Sequence, residues 1–172
     1  MSTIAITTAI MYPMLLIGAT TDVRWGKVPN AVTAPCALAG VVLNIVDSGP
    51  VGLGLSLAGI AIALALWFAA PFAGNALGGG DVKLLAAVGA LRGPVFVLYA
   101  IAFSAFWGGL LAAGCAAGRH RLLASCRQLG QWLYWRGVLH VGTPLETAAV
   151  GVRLPFAVAI ALGAITASCI VR

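Results

Sequence analysis

Apolar runs of spanning length alternate with short polar breaks along nearly the whole chain. The runs cover residues 4–20, 31–46, 51–70, 81–91, 95–117 and 154–171. A buried strand needs only roughly four to eight apolar residues, so runs of this length predict helices. Most of them approach the roughly 20 residues that carry a helix across a bilayer. Pro13 predicts a kink in the first, which neighbouring helices in a membrane tolerate. Residues 47–50, D-S-G-P, read as a turn that ends the second, with Asp47 as a turn or cap residue. The fourth run is short: eleven residues from Asp81 to Leu91 reach only about 16 Å as a helix. Either R-G-P at 92–94 breaks the chain at the membrane edge, or the helix begins inside the preceding loop and a tilted span suffices. The expected fold is all-α, a polytopic membrane protein of about six transmembrane helices forming one domain over residues 1–172.

Composition agrees, since 62% hydrophobic and 8% charged residues would not keep a water-soluble domain in solution. The first run lacks the basic start and small-residue cleavage site of a secretory signal, so it is expected to be retained as a span. Charge distribution then sets topology. With six spans, one face holds Arg24, Lys27, Lys83, Arg119, Arg121, Arg127, Arg136 and Arg153, and the other holds Arg92 and Arg172. Eight against two places the first face in the cytoplasm and the N-terminus outside. The net charge of +6 is therefore a topology signal, and no nucleic-acid partner is expected. Five of these arginines belong to the basic cytoplasmic loop, residues 118–152, and its immediate edge. There Trp132, Tyr134 and Trp135 beside Arg136 suit a helix lying among headgroups.

Chemistry has few carriers in this chain. There are only four acidic residues, and two of them, Asp22 and Asp81, each open a polar break and are followed two positions later by Arg24 or Lys83. A carboxylate at a membrane edge is a functional candidate because it costs at least ~2.5 kcal/mol at the bilayer centre. Parity puts both acids at the same face. Two close carboxyls titrate in coupled steps, one ionised and one protonated, which is the arrangement for activating water on a carbonyl. Cys36, Cys115, Cys126 and Cys169 form no C-x-x-C pair, so no metal or other cofactor is expected. Gly78, Gly79 and Gly80 allow positive φ and close backbone approach beside Asp81. Lys83 and Arg24 either steer the carboxylates or reach to phosphate headgroups. Pro29 and Asn30 fix the entry into the second span. On residue types alone, a membrane-edge aspartate beside Arg or Lys is more often an ion pair, a helix cap or a topology device than a catalytic group.

Motif identity goes further. Residues 22–30, D-V-R-W-G-K-V-P-N, resemble the D-x-R-x-x-x-[IV]-P-N signature of the type IV prepilin peptidases, and G-G-G-D-V-K at 78–83 resembles that family's G-x-G-D-x-K. L-P-F-A-V-A-I-A-L-G at 154–163 is similar to the start of the family's last helix. The resemblance implies a membrane-embedded aspartic peptidase with Asp22 and Asp81 catalytic, and with Gly78, Gly80, Lys83, Arg24, Pro29 and Asn30 binding substrate or supporting the site. It implies a prepilin or pseudopilin substrate cut at the cytoplasmic face of the bacterial inner membrane. The lipid bilayer and pilus assembly machinery are the other implied partners. Larger members carry an extra N-terminal region with C-x-x-C pairs associated with N-methylation. This chain is similar to the short form of tight-adherence (Flp-type) systems, expected to cleave without methylating. Two rival readings remain: a proton-coupled carrier, and a non-catalytic component of pilus or secretion assembly.

Overall fold

A computed structural model of the chain describes residues 3–69, 78–118 and 156–171, and among these residues every regular element is a helix. In chain order the helices are α1 (Thr3–Trp25), α2 (Asn30–Ala69), α3 (Gly79–Gly118) and α4 (Phe156–Ile170). By length and composition α1, α2 and α3 can each cross a membrane, and α4 is a shorter apolar helix. Three crossing-length helices and one shorter one, rather than six separate helices, are what the described residues contain.

The difference arises at two Gly-Pro steps. α2 and α3 are each interrupted by one non-helical glycine, Gly49 at φ 58° and Gly93 at φ 80°, and each is followed by a proline. Positive φ is accessible to glycine at little cost, and proline withdraws the N–H that would bond the carbonyl four residues back. At Pro94 that carbonyl belongs to Ala90. Two side chains replace the lost donor: Asn44 Nδ2 and Ser56 Oγ each donate to the Ala90 oxygen at 2.9 Å, and Asn44 Nδ2 also donates to Ser56 Oγ at 2.8 Å.

These bonds also reveal the path of the chain. Twelve residues of straight helix would separate Asn44 from Ser56 by about 18 Å. Their 2.8 Å contact requires α2 to fold back at Gly49. α3 does the same at Gly93: Arg92 donates to the Val171 carbonyl at the end of α4, whereas Gly108 lies against the Phe156 ring at its beginning. Where the arms meet, Gly59 and Gly89 touch backbone to backbone, so a Cβ on either would collide with the other's carbonyl. Close approach of small residues is how helices associate in lipid, where no hydrophobic force drives them together.

Burial follows the same plan. The first arm of α3 is the centre of the core, with Leu84, Leu85, Val88 and Leu91 each at most 2% exposed. Met11, Met14 and Leu15 of α1 and Ile160 of α4 close over it. The outer surface is apolar as well: Leu16 is 69% exposed, Leu38 67% and Val46 80%. A surface of this kind faces lipid, and the chain is an integral membrane protein.

α1 runs unbroken through Pro13 and continues past residue 20 to Trp25. The polar loop expected over residues 21–30 shrinks accordingly to Gly26–Pro29. Gly26 stops the helix: at φ 62° its N–H donates to the Asp22 carbonyl at 2.8 Å, the left-handed cap that commonly ends helices. The fourth apolar run begins two residues early, at Gly79, and ends at the Gly93 break. Residues 3–69, 78–108 and 156–171 belong to one compact unit. The basic loop over 118–152 with its aromatic cluster, His120, His140 and the start of the last span at 154 lie outside the described residues.

Candidate active site

Asp22 and Asp81 are 59 positions apart in sequence and line the same cavity, of about 690 Å³. One wall is the last turn of α1 with the link into α2: Thr21, Asp22, Trp25, and Lys27 to Asn30. The other is the start of α3: Gly78, Gly79, Gly80, Asp81 and Lys83.

What brings the walls together is a crossing one turn inside the bundle. Gly18 of α1 sits against the Leu84 side chain so closely that a Cβ on Gly18 would overlap it. Asp22 lies one helical turn beyond Gly18, and Asp81 nearly one turn before Leu84. The close crossing therefore carries both carboxylates to one end, where they are near enough to interact electrostatically. At the rim, a Cβ on Gly80 would come within 3.2 Å of the Val28 side chain. The absence of a side chain at Gly80 lets the α1–α2 link lie against the start of α3.

Each carboxylate is held by a helix N-terminus. Asp81 is 8% exposed, and its Oδ2 accepts from the Gly78 N–H at 3.2 Å while its own N–H donates to the Gly78 carbonyl at 3.1 Å. This reciprocal pair has the form of a capping box, with the acid at the third helical position. Asp22 stands in the last turn of α1, where the helix dipole disfavours a negative charge. Its Oδ2 accepts from the Ala157 N–H at 3.3 Å, at the positive end of α4. Backbone donors, rather than the neighbouring Arg24 or Lys83, orient the two acids. Among the described residues no ion pair holds either acid, whereas capping accounts for one oxygen of Asp81.

Of the residues singled out from sequence, Asp22, Asp81, Gly78, Gly80, Lys83, Pro29 and Asn30 all line the cavity. Arg24 does not: it is exposed in the last turn of α1, away from the lining. Of the two roles expected of the three glycines, close approach is found at Gly80, against Val28, whereas the positive-φ glycines among the described residues are Gly26, Gly49 and Gly93. Gly78 and Gly80 contribute space and a backbone donor instead. The Pro29 carbonyl accepts from the Val32 and Thr33 N–H groups at 3.2 and 3.4 Å, so this residue builds the first turn of α2. Thr21, Trp25, Lys27 and Val28 also line the cavity and were not singled out, although the last three lie inside the 22–30 stretch and Thr21 directly precedes it. Gly18 could have been found as a small residue one turn before Asp22. The Ala157 N–H carries no side-chain signal at all.

Among the described residues no group of three or more His, Cys, Asp or Glu could hold a metal ion. The site offers two carboxyls in a recess lined on one side by Gly78–Gly80 and on the other by Trp25, Lys27 and Val28, which suits acid–base chemistry on a bound chain.

Residues 9–113 match the sequence model of the type IV leader peptidase family, a stretch that is more than half of the chain and includes both motifs. The chain belongs to the type IV leader peptidase family. That membership makes it a peptidase whose substrates are prepilin-type leader sequences. No curated protein and no solved structure gives a significant match. α4, which supplies the Asp22 partner, lies beyond the matched residues.

Proposed function

We propose that this type IV leader peptidase is an aspartic endopeptidase in which Asp22 and Asp81 hydrolyse the leader of a prepilin or pseudopilin without a cofactor. The observation that carries the reading is the convergence of the two acids on one cavity. One carboxylate accepts a proton from water as it attacks the scissile carbonyl. The other, protonated, gives its proton to the carbonyl oxygen; as the C–N bond breaks, the first carboxyl passes the proton taken from water to the leaving nitrogen and the second takes a proton back from the diol hydroxyl. Gly78 and Gly80 leave room for an extended peptide beside the acids, with Pro29 and Asn30 forming the opposite lip. Lys83 and Lys27 sit at the cavity and Arg24 outside it, so the lysines are the cations within reach of substrate or carboxylate, and Arg24 serves the headgroups.

The fold-back of α2 and α3 supports a six-pass topology, each 40-residue helix crossing twice around its Gly-Pro step. In that topology the charge asymmetry orients the cavity toward the cytoplasm of a bacterial inner membrane and the N-terminus toward the periplasm. A tight-adherence (Flp-type) pilin is the finer substrate assignment, with pilus assembly machinery as neighbour.

Co-expression with a candidate prepilin tests the reading, with a gel shift and N-terminal sequencing as readouts. Wild type should release the leader, and Asp22→Asn and Asp81→Asn should not. Cleavage by either variant at the wild-type rate removes that residue from the mechanism. Mass measurement of the new amino terminus tests the Flp-type corollary, a mature end without a methyl group.

A further inference from the structure

A second cavity, of about 320 Å³, lies at the other end of the bundle, and the peptidase reading leaves it unused. It is bounded by the start of α1, the Gly93 break of α3 and the end of α4, with Arg92 and Asp47 both among its lining residues. Fifteen residues of α1 separate Thr7 in this cavity from Asp22, about 22 Å along the helix axis, and Thr3 lies about 28 Å away. Those distances approach the ~30 Å hydrocarbon thickness, which sets the cavity at the interface of the leaflet opposite the aspartates.

The two charged side chains among the described lining residues are of opposite sign, and each is held by neutral partners. Half-buried Arg92 donates from one terminal nitrogen to the Val171 carbonyl at 3.1 Å and lies 4.8 Å over the Phe96 ring. Asp47 accepts from the Thr3 hydroxyl at 2.5 Å and from the Ser48 hydroxyl at 3.2 Å, and it remains exposed. A guanidinium has five N–H donors, and a carboxylate accepts at about four positions, so both retain capacity toward a ligand. The cation sits deeper and the carboxylate nearer the rim.

The geometry points to a binding site for a zwitterionic phosphoethanolamine headgroup, its phosphate on Arg92 and its primary ammonium on Asp47. Guanidinium and phosphate form directed, charge-assisted hydrogen bonds. A primary ammonium donates to the carboxylate, which a trimethylated choline cannot do, and a glycerol headgroup carries no cation to offer. The ligand is a lipid rather than a soluble zwitterion, because the apolar wall of Leu55, Leu91 and Val95 continues into the exposed faces of Val95 and Leu55.

Native mass spectrometry of the purified full chain tests this with phosphatidylethanolamine, phosphatidylcholine and phosphatidylglycerol of matched acyl chains. Wild type should hold the ethanolamine lipid ~10-fold more tightly than the other two, the size of one charge-assisted contact in a partly wet site. Asp47→Asn should bring ethanolamine binding down to the choline level. Arg92→Gln should weaken all three lipids, and Arg92→Lys should restore part of the loss. Equal binding of the three lipids by wild type, or selectivity unchanged in Asp47→Asn, overturns the proposal. Should Arg92→Gln fail to fold, Asp47→Asn at its exposed position still decides. Soluble O-phosphoethanolamine should compete only at far higher concentration than the lipid, and competition at equal concentration overturns the lipid assignment. The readout is lipid binding, so its failure leaves the peptidase reading untouched.

Discussion

The two ends of the bundle use polar groups in opposite ways. At the aspartate end, backbone N–H groups from two helix starts hold the acidic side chains, through Gly78 to Asp81 and Ala157 to Asp22. At the far end, side chains hold backbone: Asn44 and Ser56 are committed to the carbonyl that Pro94 leaves without a partner. A side chain that repairs a helix break is used up by the repair. A carboxylate positioned through one oxygen by a backbone donor keeps its second oxygen for chemistry. Under the proposed mechanism, the difference puts chemistry at one end and rigidity at the other.

The sharpest way to break that contrast is to neutralise the acids. Asp22→Asn and Asp81→Asn retain an oxygen to accept from Ala157 and Gly78, so the fold should survive while leader cleavage falls at least ~100-fold. Thermal unfolding beside a cleavage assay checks both halves of the expectation. If the pair works as one ionised and one protonated group, cleavage against pH is bell-shaped. It falls in acid where both are protonated and no base remains, and in alkali where both are ionised and no acid remains. A profile that stays flat across both limbs removes the shared-proton mechanism.

Next in size is the crossing that brings the acids together. Gly18→Val forces Leu84 away, and a displacement near 1 Å at the carboxylates should cost ~10- to 100-fold in cleavage. Leu84→Ala in the Gly18→Val background should recover part of it. Lack of recovery would mean that the crossing does not set the distance between the acids.

The far end should respond in stability instead. Asn44→Ala leaves the Ala90 carbonyl with Ser56 alone, and the Asn44→Ala, Ser56→Ala double variant leaves it bare. The double variant should lose about 1–3 kcal/mol in a denaturation experiment, with cleavage per folded molecule retained. Loss of cleavage without loss of stability would invert the division drawn between the ends. The smallest contrast lies within the cations: Lys83→Gln should slow cleavage severalfold more than Arg24→Gln in the same gel assay. Equal effects would move Arg24 back to the site.

Much of the fold was legible because hydropathy is local. The apolar runs, the D-S-G-P and R-G-P interruptions and the two aspartates could all be placed without tertiary information. The limits of α1 could not, because residues 21–25 are polar enough to read as loop and become helix only through the Gly26 cap. Gly78 and Gly80 line the cavity; of the two roles open to them, close approach is found at Gly80 and positive φ is not, a choice that a glycine's sequence does not make.

By itself the chain determined a helical membrane protein with two acids, their flanking motifs and its Gly-Pro interruptions, all consequences of residue type over a few neighbouring positions. Tertiary structure alone decided that Asp22 and Asp81 share a cavity, that Ala157 holds one of them and that Asn44 and Ser56 mend the helix at Ala90. Each of those contacts joins groups at least 34 positions apart, and one of the donors is a backbone N–H common to every residue but proline. No pattern of side chains announces such a partner before the chain has folded.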